Sequence, residues 1–391
     1  MHFKIYSATE LLPEGWDGLA SKNIFLSKNY LKILEKAPPE NMACHFIGLF
    51  DNGKLAGIAL SQFLNLNKLA SFGERDRCIK TKARNFIFKN FSSHVLFIGN
   101  NMLTGQNAYC LAEGTDKPKA LDSLKEASEA LREIFKNKGF KIHLTSFKDF
   151  AQDEAEEFGK ASFSDYYKFS TQPNMVFEVR DSWNTFEDYV GDLSKKYRDQ
   201  FKRARKKSEG IVKRKMILEE IAEQEETIYR LYFHVARNAP FNTFFLAKNH
   251  FSVFKEMLQD NFLFYGYFIE GKLIGFNTLV KNGTAIDTYF LGYDETIQKE
   301  KMLYLNMLYD MIGYSINRGF KKIIFARTAL EIKSSVGASP VDMHGYIRHS
   351  NKLVNKKMDR IFNYLEPKTD WQVRNPFKQP GQNLNRDETA D

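Results

Sequence analysis

A single sequence pattern occurs twice in this chain, once in each half. Residues 48–57 read GxFxxGKLxG, and residues 266–275 read the same pattern. Downstream of each copy, a stretch with helical periodicity ends in a second shared element, KGFK at 138–141 and RGFK at 318–321. The distance between the copies is far longer than the period of a solenoid repeat. The chain is therefore predicted to contain two domains of similar fold.

The repeated unit predicts a β-hairpin followed by a strand–helix–strand crossover. In the first copy, alternating segments at 44–50 and 54–63 flank the turn sequence Asp-Asn-Gly, and a helix at 119–137 leads to a strand at 140–145. The corresponding elements of the second copy are predicted at 262–269, 272–280, 284–291, 301–317 and 322–326. Strands that alternate with one crossover helix predict a mixed sheet, parallel where the crossover enters.

The predicted fold class is therefore α/β with mixed sheets, in two tandem domains that each have a central sheet flanked by helices. The first domain is predicted at 1–165 and the second at 166–365. Residues 366–391 are polar and contain proline, so a disordered tail is predicted there.

Composition narrows the class of protein. The 391 residues are 43% hydrophobic and 27% charged, which is typical of a soluble globular protein. No run of 18 apolar residues is present, and the first residues lack the apolar segment of a signal peptide. Cys44, Cys78 and Cys110 are too few and too scattered for a disulfide framework or a zinc site. We expect a cytoplasmic protein that holds no metal.

The net charge of +9 is concentrated in one block. Residues 195–215 contain eleven Lys or Arg against only Asp199 and Glu209. A block of this kind attracts anionic partners, such as coenzyme A phosphates, an acidic acyl carrier protein, transfer RNA or an anionic membrane surface. The alternative is a solvated helix face without a partner.

Three segments resemble the GNAT acyltransferase superfamily, and within it the tandem-GNAT group of Fem-type aminoacyl transferases and acetyltransferase-6 relatives. The first is the basic helix LSKKYR followed by KRARKK at 193–207. The second is the meander with Asp-Thr-Tyr at 287–289, whose crossover helix ends in RGF. The third is FART at 325–328, followed by ExKxxxGA at 331–338.

The resemblance implies an N-acyltransferase of the GNAT type, with a degenerate first domain. The donor would be acyl-CoA or a carrier-bound acyl group. The acceptor would be a small-molecule or lipid-precursor amine, which attacks directly without a covalent enzyme intermediate. The superfamily grips the donor pyrophosphate with a glycine-rich loop that begins with glutamine or arginine. The loop at 99–105 has the glycines but no basic lead residue, and the loop at 291–296 has one glycine and two acidic residues, so neither matches well. Carrier-bound and tRNA-bound donors therefore stay open.

The candidate site residues follow from the same segments. Asp287 is predicted to face the central cleft and either bind the acceptor amine or act as a base. Tyr289, on the same face, is predicted to donate to the oxyanion or leaving group. Residues predicted to bind substrate or donor are Tyr197, Arg198, Arg203, Arg327, Glu331 and Lys333. The structural alternatives are an arginine pair for Asp287, aromatic packing for Tyr289, and a mutual ion pair of Glu331 with Lys333.

Two other functions stay open at this stage. One is a Fem-like transferase that moves an amino acid from aminoacyl-tRNA to a cell-wall precursor, which the basic block favours. The other is a non-catalytic module of GNAT fold that binds an anionic ligand or RNA, which the poor phosphate loops favour. No stable DNA complex is expected, whereas peripheral membrane contact is compatible with the basic block.

Overall fold

The computed structural model describes residues 1–68, 93–239, 242–365 and 371–378. Cys78, most of a strand predicted at 66–72 and most of the predicted tail lie outside these ranges. Residues 66–68 of that predicted strand form a short 3₁₀ turn.

Strands and helices occur throughout the described part of the chain. The strands are β1 His2–Tyr6, β2 Met42–Asp51, β3 Lys54–Asn65, β4 His94–Ile98, β5 Tyr109–Leu111, β6 Leu144–Phe150, β7 Tyr167–Glu178, β8 Val212–Lys215, β9 Phe262–Ile269, β10 Lys272–Asn282, β11 Ala285–Tyr293, β12 Lys322–Ala326 and β13 Ser339–His349. The helices are α1 Trp16–Ala20, α2 Lys28–Lys36, α3 Lys117–Asn137, α4 Gln152–Lys160, α5 Phe186–Asp192, α6 Lys195–Lys207, α7 Leu218–Glu223, α8 Glu225–Asn238, α9 His250–Leu258, α10 Glu295–Lys301, α11 Leu303–Asn317, α12 Leu330–Ser334, α13 Lys352–Asn355 and α14 Met358–Leu365.

The strand order reads the same way from either edge of the sheet. The described strands form one sheet in the order β1-β2-β3-β4-β6-β13-β7-β12-β11-β10-β9-β8, with β5 beside β3. In each half, an edge strand and an antiparallel hairpin lead to one parallel pair, β4 with β6 and β11 with β12. The helices α3 and α11 precede the second strand of each pair. The predicted class, α/β with a mixed sheet, is confirmed.

The two copies of GxFxxGKLxG form hairpins with the same turn and the same bulge. Asn52 and Gly53 have φ of 48° and 79°, and Glu270 and Gly271 have 48° and 77°. Positive φ at both central residues belongs to the type I′ turn, which suits the twist of a hairpin. Pairing then slips by one residue just before the last glycine of each copy. The shared letters thus encode a turn followed by a β-bulge.

The two halves are joined through β13, which lies between β6 of the first half and β7. A strand was predicted only around residues 346–348, but β13 is 11 residues long. Its length comes from its two partners, since residues 339–347 pair with β7 and 344–349 pair with β6. The central sheets of the two halves are consequently continuous.

The hydrophobic cores are also arranged by halves of the chain. One hydrophobic cluster belongs to the first half and another to the second. A third is shared, because α2 and its neighbours pack against α9 and the outer face of β9 and β10. Within it, the Tyr30 and Phe254 rings meet edge to face at 5.8 Å. The halves therefore bury apolar surface against each other.

Some predicted boundaries shift. The strand predicted at 140–145 begins at Leu144, because Phe140 folds back onto Phe63 and His94. The helix predicted at 218–237 is two helices, α7 and α8, separated at Gln224.

Residues 371–378, which belong to the segment predicted as a disordered tail, lie against the second half of the chain. Phe377 forms a β-bridge with Leu193 and stacks near Trp183. Its ring lies so close to Gly337 that a Cβ there would be 2.5 Å from it. Aromatic packing thus holds this segment, which the polar composition of the tail concealed.

Candidate functional site

The site begins where β11 and β12 diverge. Only three residue pairs join these parallel strands, ending at Asp287 opposite Ile324. The Thr288 hydroxyl then donates to the Ile324 carbonyl at 3.0 Å. Beyond this point, β11 continues for six more residues without β12 as a neighbour. The backbone groups on that edge of β11 are left for water or a ligand.

The divergence opens a cavity of about 550 Å³ that passes between the strands. One wall is α8, which packs on one face of the sheet, and the opposite wall is α11. The first half contributes Met102, Leu103 and Thr104. Most other lining side chains are aliphatic or aromatic, including Tyr232, Phe290, Tyr304, Leu308, Met311 and Ile332. Such a cavity suits an extended ligand with an apolar body and a few polar groups.

Gly292 allows α8 to lie directly on β11. A Cβ at this position would be 2.5 Å from the backbone nitrogen of Tyr232 and 2.6 Å from the carbonyl carbon of Leu231. Both atoms are backbone, so no side-chain movement would relieve the clash. The glycine of the poorly matching phosphate loop at 291–296 therefore serves helix packing, which positions the α8 wall of the cavity.

At the end of β12, the backbone is strained and tied to a buried lysine. Ala326, Thr328 and Ala329 have φ of 59°, 70° and 47°, values that are uncommon for residues with a side chain. The Lys333 ammonium donates to the carbonyls of Phe325, Ala326 and Arg327 at 2.6, 3.2 and 2.7 Å. Lys333 thereby fixes the loop that carries Arg327 into the cavity lining.

Burial and hydrogen bonding act on the protonation of Lys333 in opposite directions. Burial lowers the pKa of Lys333 to about 7, because the charged form is removed from water. The three carbonyl acceptors, in contrast, favour the ammonium form. Glu331, two residues earlier, does not pair with it: Glu331 accepts from the Gln372 backbone and the Arg374 guanidinium and holds the C-terminal segment.

Arg327 joins a charged cluster that links the two halves of the chain. Its guanidinium forms an ion pair with Asp149 and donates to the Thr171 hydroxyl at 3.1 Å. Asp149 also pairs with Lys148 at 2.7 Å. Both Lys148 and Asp149 are buried and come from the end of β6, the strand of the first half that corresponds to β12.

In the first half, Lys148 bridges the ends of the parallel strands β4 and β6, where the second half has its cavity. Its ammonium donates to the carbonyls of Asn100 and Leu103 at 3.1 and 3.2 Å, in the loop that follows β4. A Cβ on Gly99 would be 3.1 Å from the Lys148 side chain. The parallel pair of the first half is thus bridged at its end, whereas the pair of the second half is open.

Tyr289 lines the cavity, but its hydroxyl belongs to a buried hydrogen-bond chain. The His250 Nδ1 atom lies 3.3 Å from the Ala37 carbonyl, which can only accept, so Nε2 accepts from the Tyr289 hydroxyl at 3.0 Å. Burial lowers the pKa of His250 to about 4 and keeps the ring neutral. The Tyr30 hydroxyl forms a hydrogen bond with the Tyr289 hydroxyl and accepts one from the Asn100 side-chain amide at 2.7 Å.

The cavity lining brings together three of the predicted residues, Tyr289, Arg327 and Lys333. Asp287 was expected to face the cleft but is not part of that lining. Its carboxylate accepts from the Asn282 amide at 3.2 Å, and Asn282 in turn accepts from the backbone of Ile24. The catalytic role of Asp287 stays a prediction.

The basic helix contributes no side chain to the cavity lining within the described residues. Tyr197 is buried in the core of the second half, and Arg198 donates to the Leu193 carbonyl at 2.8 Å. Arg203 is exposed on the outer face of α6. These three predicted binding residues therefore lie outside the site that Arg327 and Lys333 help to form.

Sequence reasoning missed Lys148, Asp149 and His250. The repeat contained a signal for the first two, because Lys148 follows the KGFK element at nearly the same distance as Arg327 follows RGFK. His250 carried no comparable signal, since a single histidine on an amphipathic helix is usually a packed residue.

Asp287 provides a pH prediction. Burial raises the pKa of Asp287 to about 7 from its ordinary 3.8. The folded state thus binds a proton that the unfolded state has lost between these two pH values, so this group lowers stability as pH rises from 4 to 7. We expect Asp287→Asn to be more stable than the parent at pH 8, by at least about 1 kcal/mol, with little difference near pH 4.

Urea unfolding at both pH values measures this difference. Asp181→Asn is the matched control, because Asp181 is exposed and pairs only with Lys321 at the surface. A parent whose stability relative to Asp287→Asn does not change with pH would contradict the prediction.

Comparison with solved structures gives the fold a precedent. The crystal structure of FemX is similar over 94% of this chain and 100% of its own, with a TM-score of 0.54 and 11% identity. The fold of this chain is therefore similar to that of FemX. At this identity the likeness concerns the fold, and activity has to be argued from the site.

Two further structures are similar at lower scores. A tandem GNAT protein from the clavulanic acid biosynthesis pathway covers 90% of this chain and 99% of its own, with a TM-score of 0.49 and 9% identity. The C-terminal domain of a putative lysylphosphatidylglycerol synthetase from Agrobacterium fabrum is similar over 88% of this chain and 96% of its own. Its TM-score is 0.49 and its sequence identity is 7%. No family model and no curated protein matches the chain. None of the described helices is both long and apolar enough to cross a membrane.

Proposed function

We propose that the chain is an acyltransferase whose donor lies in the cavity between β11 and β12. The observation that carries this proposal is the free edge of β11 inside a largely apolar cavity. An extended donor arm with amide groups can hydrogen-bond to such an edge, as a peptide does when it adds to a sheet. The apolar walls would hold the acyl group and exclude water.

The charged end of the cavity supports the chemistry of acyl transfer. When an amine attacks the donor carbonyl, negative charge develops on the carbonyl oxygen, and preorganised cations or N–H groups lower the barrier. Arg327 and Lys333 lie in the cavity lining at the end of β12. In the proposal, Arg327 provides this positive charge, and Lys333 holds the loop in place. Attack is direct and requires no covalent enzyme intermediate.

The proposal gives Tyr289 and Asp287 lesser parts. The proton of the Tyr289 hydroxyl is committed to His250, so the ring of Tyr289 shapes the wall. Asp287 does not line the cavity and receives no catalytic step.

A panel of donors tests the proposal. Purified protein is incubated with acetyl- and longer acyl-coenzyme A, an acyl carrier protein thioester and aminoacyl-tRNA, each with amine acceptors. We expect one donor class to bind and turn over. Ala236→Trp, which fills the α8 wall of the cavity, should abolish both, whereas Ala222→Trp, on the exposed face of α7, should leave both unchanged. Turnover that survives Ala236→Trp would place the reaction elsewhere.

A second candidate is a Fem-like transferase that takes its donor from tRNA, and the exposed face of α6 favours it. Lys202, Arg203, Lys206 and Lys207 are all exposed on this helix. If RNA phosphates contact them, the affinity for aminoacyl-tRNA should fall steeply as salt rises. Binding that is insensitive to salt would exclude this donor class.

A further inference from the structure

The cavity between β11 and β12 has two apolar ends, each formed by a different hydrophobic core. On the side of α8, six lining residues belong to the hydrophobic cluster that the two halves share: Met102, Leu103, Tyr232, Ala236, Tyr289 and Phe290. On the side of α11, the lining residues Leu308, Met311 and Phe325 belong to the core of the second half. A ligand that passes between the strands therefore meets apolar side chains on both faces of the sheet.

Aromatic rings form much of the α8 end. The Tyr289 and Phe290 rings meet edge to face with centroids 4.7 Å apart, and Phe290 meets Tyr232 in the same way at 5.6 Å. Consecutive residues of a regular strand face opposite sides, but the pairing of β10 with β11 shifts by one residue between Asn277 and Leu279. This bulge brings both rings to the shared cluster. The α8 end thus offers a ligand dispersion contact and no charge.

The cavity lining provides no carboxylate for a positively charged ligand. Among the described lining residues, only Arg327 and Lys333 can carry a charge at neutral pH, and none is Asp or Glu. Asp149 lies outside the lining and already pairs with Arg327 and Lys148. The carbonyls at the end of β12 already accept from Lys333. An ammonium group brought into the cavity would lose water without gaining a counter-ion, which is costly.

The cavity is also larger than a short acyl group requires. Its volume is about 550 Å³. An apolar protein cavity of about 150 Å³ is enough to hold benzene, a ligand with six carbon atoms. An acetyl group would therefore leave much of the apolar α8 end without contact, and unfilled apolar space forfeits dispersion energy. Each methylene group that moves from water onto such a surface strengthens binding about fourfold.

We infer that the acyl group of the donor is uncharged and apolar, has about six or more carbon atoms, and lies at the α8 end of the cavity. This inference rests on the proposed function, which places the donor in this cavity. The favoured donor is a fatty acyl thioester of a pantetheine arm, as in acyl-coenzyme A or an acyl carrier protein. Acetyl groups and the aminoacyl esters of tRNA are disfavoured, the first by size and the second by their ammonium group.

Unreactive donor analogues test the inference without any transfer step. Acyl-pantetheine amides, in which NH replaces the thioester sulfur, are titrated into the full chain by calorimetry, from acetyl to decanoyl. The octanoyl analogue should bind about 100-fold or more tightly than the acetyl analogue. The 2-aminohexanoyl analogue, which differs from hexanoyl by one ammonium group, should bind about tenfold or more weakly than hexanoyl.

A substitution in the α8 wall tests where the acyl group lies. Ala236→Leu takes the space of about three methylene groups, so the best-bound chain should become shorter by about that number. Affinity for the acetyl analogue should stay the same, which also shows that the variant is folded. Ala222→Leu, on the exposed face of α7, is the matched control and should bind every analogue like the parent.

The remaining outcomes either overturn the inference or separate it from the proposed function. Equal affinity for acetyl and octanoyl, equal affinity for hexanoyl and 2-aminohexanoyl, no binding of any analogue, or an unchanged preference in Ala236→Leu overturns it. Turnover is then measured with octanoyl-coenzyme A, octanoyl carrier protein, acetyl-coenzyme A and aminoacyl-tRNA, and the first two distinguish the sources of the arm. If no donor turns over while the chain-length preference holds, the proposed function is wrong and the apolar site stands. If acetyl-coenzyme A or aminoacyl-tRNA is the better donor, the inference is wrong and the transferase stands.

Discussion

Asp149→Asn is expected to lower the free energy of unfolding by about 3–5 kcal/mol, because it leaves the buried Lys148 and the partly buried Arg327 without their shared partner. The substitution keeps the shape of the side chain, removes its charge and replaces one acceptor oxygen with an NH2 donor. Lys148 is then bound by carbonyls alone, and Arg327 retains the Thr171 hydroxyl. Since Arg327 and Lys148 belong to different halves, the loss weakens the connection between them.

Urea unfolding at neutral pH measures the effect of this change. Asp165→Asn is the matched control, because Asp165 also pairs with two cations, Lys125 and Arg348, but has a side chain that is 42% exposed. Exposed pairs contribute about 0–1 kcal/mol, so the control should unfold almost like the parent. Similar losses for the two variants would mean that the cluster at Asp149 is not the buried junction described here.

Lys333→Met is expected to lower the free energy of unfolding by about 3 kcal/mol and to reduce transferase activity more than 100-fold. Three carbonyls lose their donor, at about 1–3 kcal/mol each, while removal of a buried ammonium offsets part of this cost. The strained loop from Ala326 to Ala329 then loses the contact that holds Arg327 in the cavity lining.

The stability part of this prediction is measured by urea unfolding, and the activity part with the donor that turns over in the panel. Lys299→Met is the control: Lys299 is 74% exposed and makes an i,i+4 pair with Glu295. If Lys333→Met retains activity at a temperature where it is folded, Lys333 does not hold the site.

The sequence predicted what is encoded locally. The turns at Asn52-Gly53 and Glu270-Gly271 follow from residues that accept positive φ, and the crossover helices follow from their apolar periodicity. The mixed sheet then follows from the order of the elements. The site is different, because it depends on where pairing stops between β11 and β12, a property of packing around both strands.

The predicted site residues also differ in how far local sequence determines their position. Arg327 and Lys333 follow a strand closely, so the end of that strand carries them into the site. Arg203 lies on a helix whose buried face is set by Tyr197 and Ala204, which leaves the arginine in solvent. Asp149, the partner of Arg327, lies in the other half of the chain, and pairings this distant are not visible in local patterns.

Hydrogen exchange along β11 and β12, with and without the donor that supports turnover, tests the central claim most directly. A donor that lies against the free edge of β11 should slow exchange of alternate amides within residues 288–293, and of amides within 324–329 at the end of β12. The amides of β4 and β6, whose gap Lys148 closes, should not change. Slowed exchange elsewhere in the chain, with 288–293 unaffected, would contradict the account.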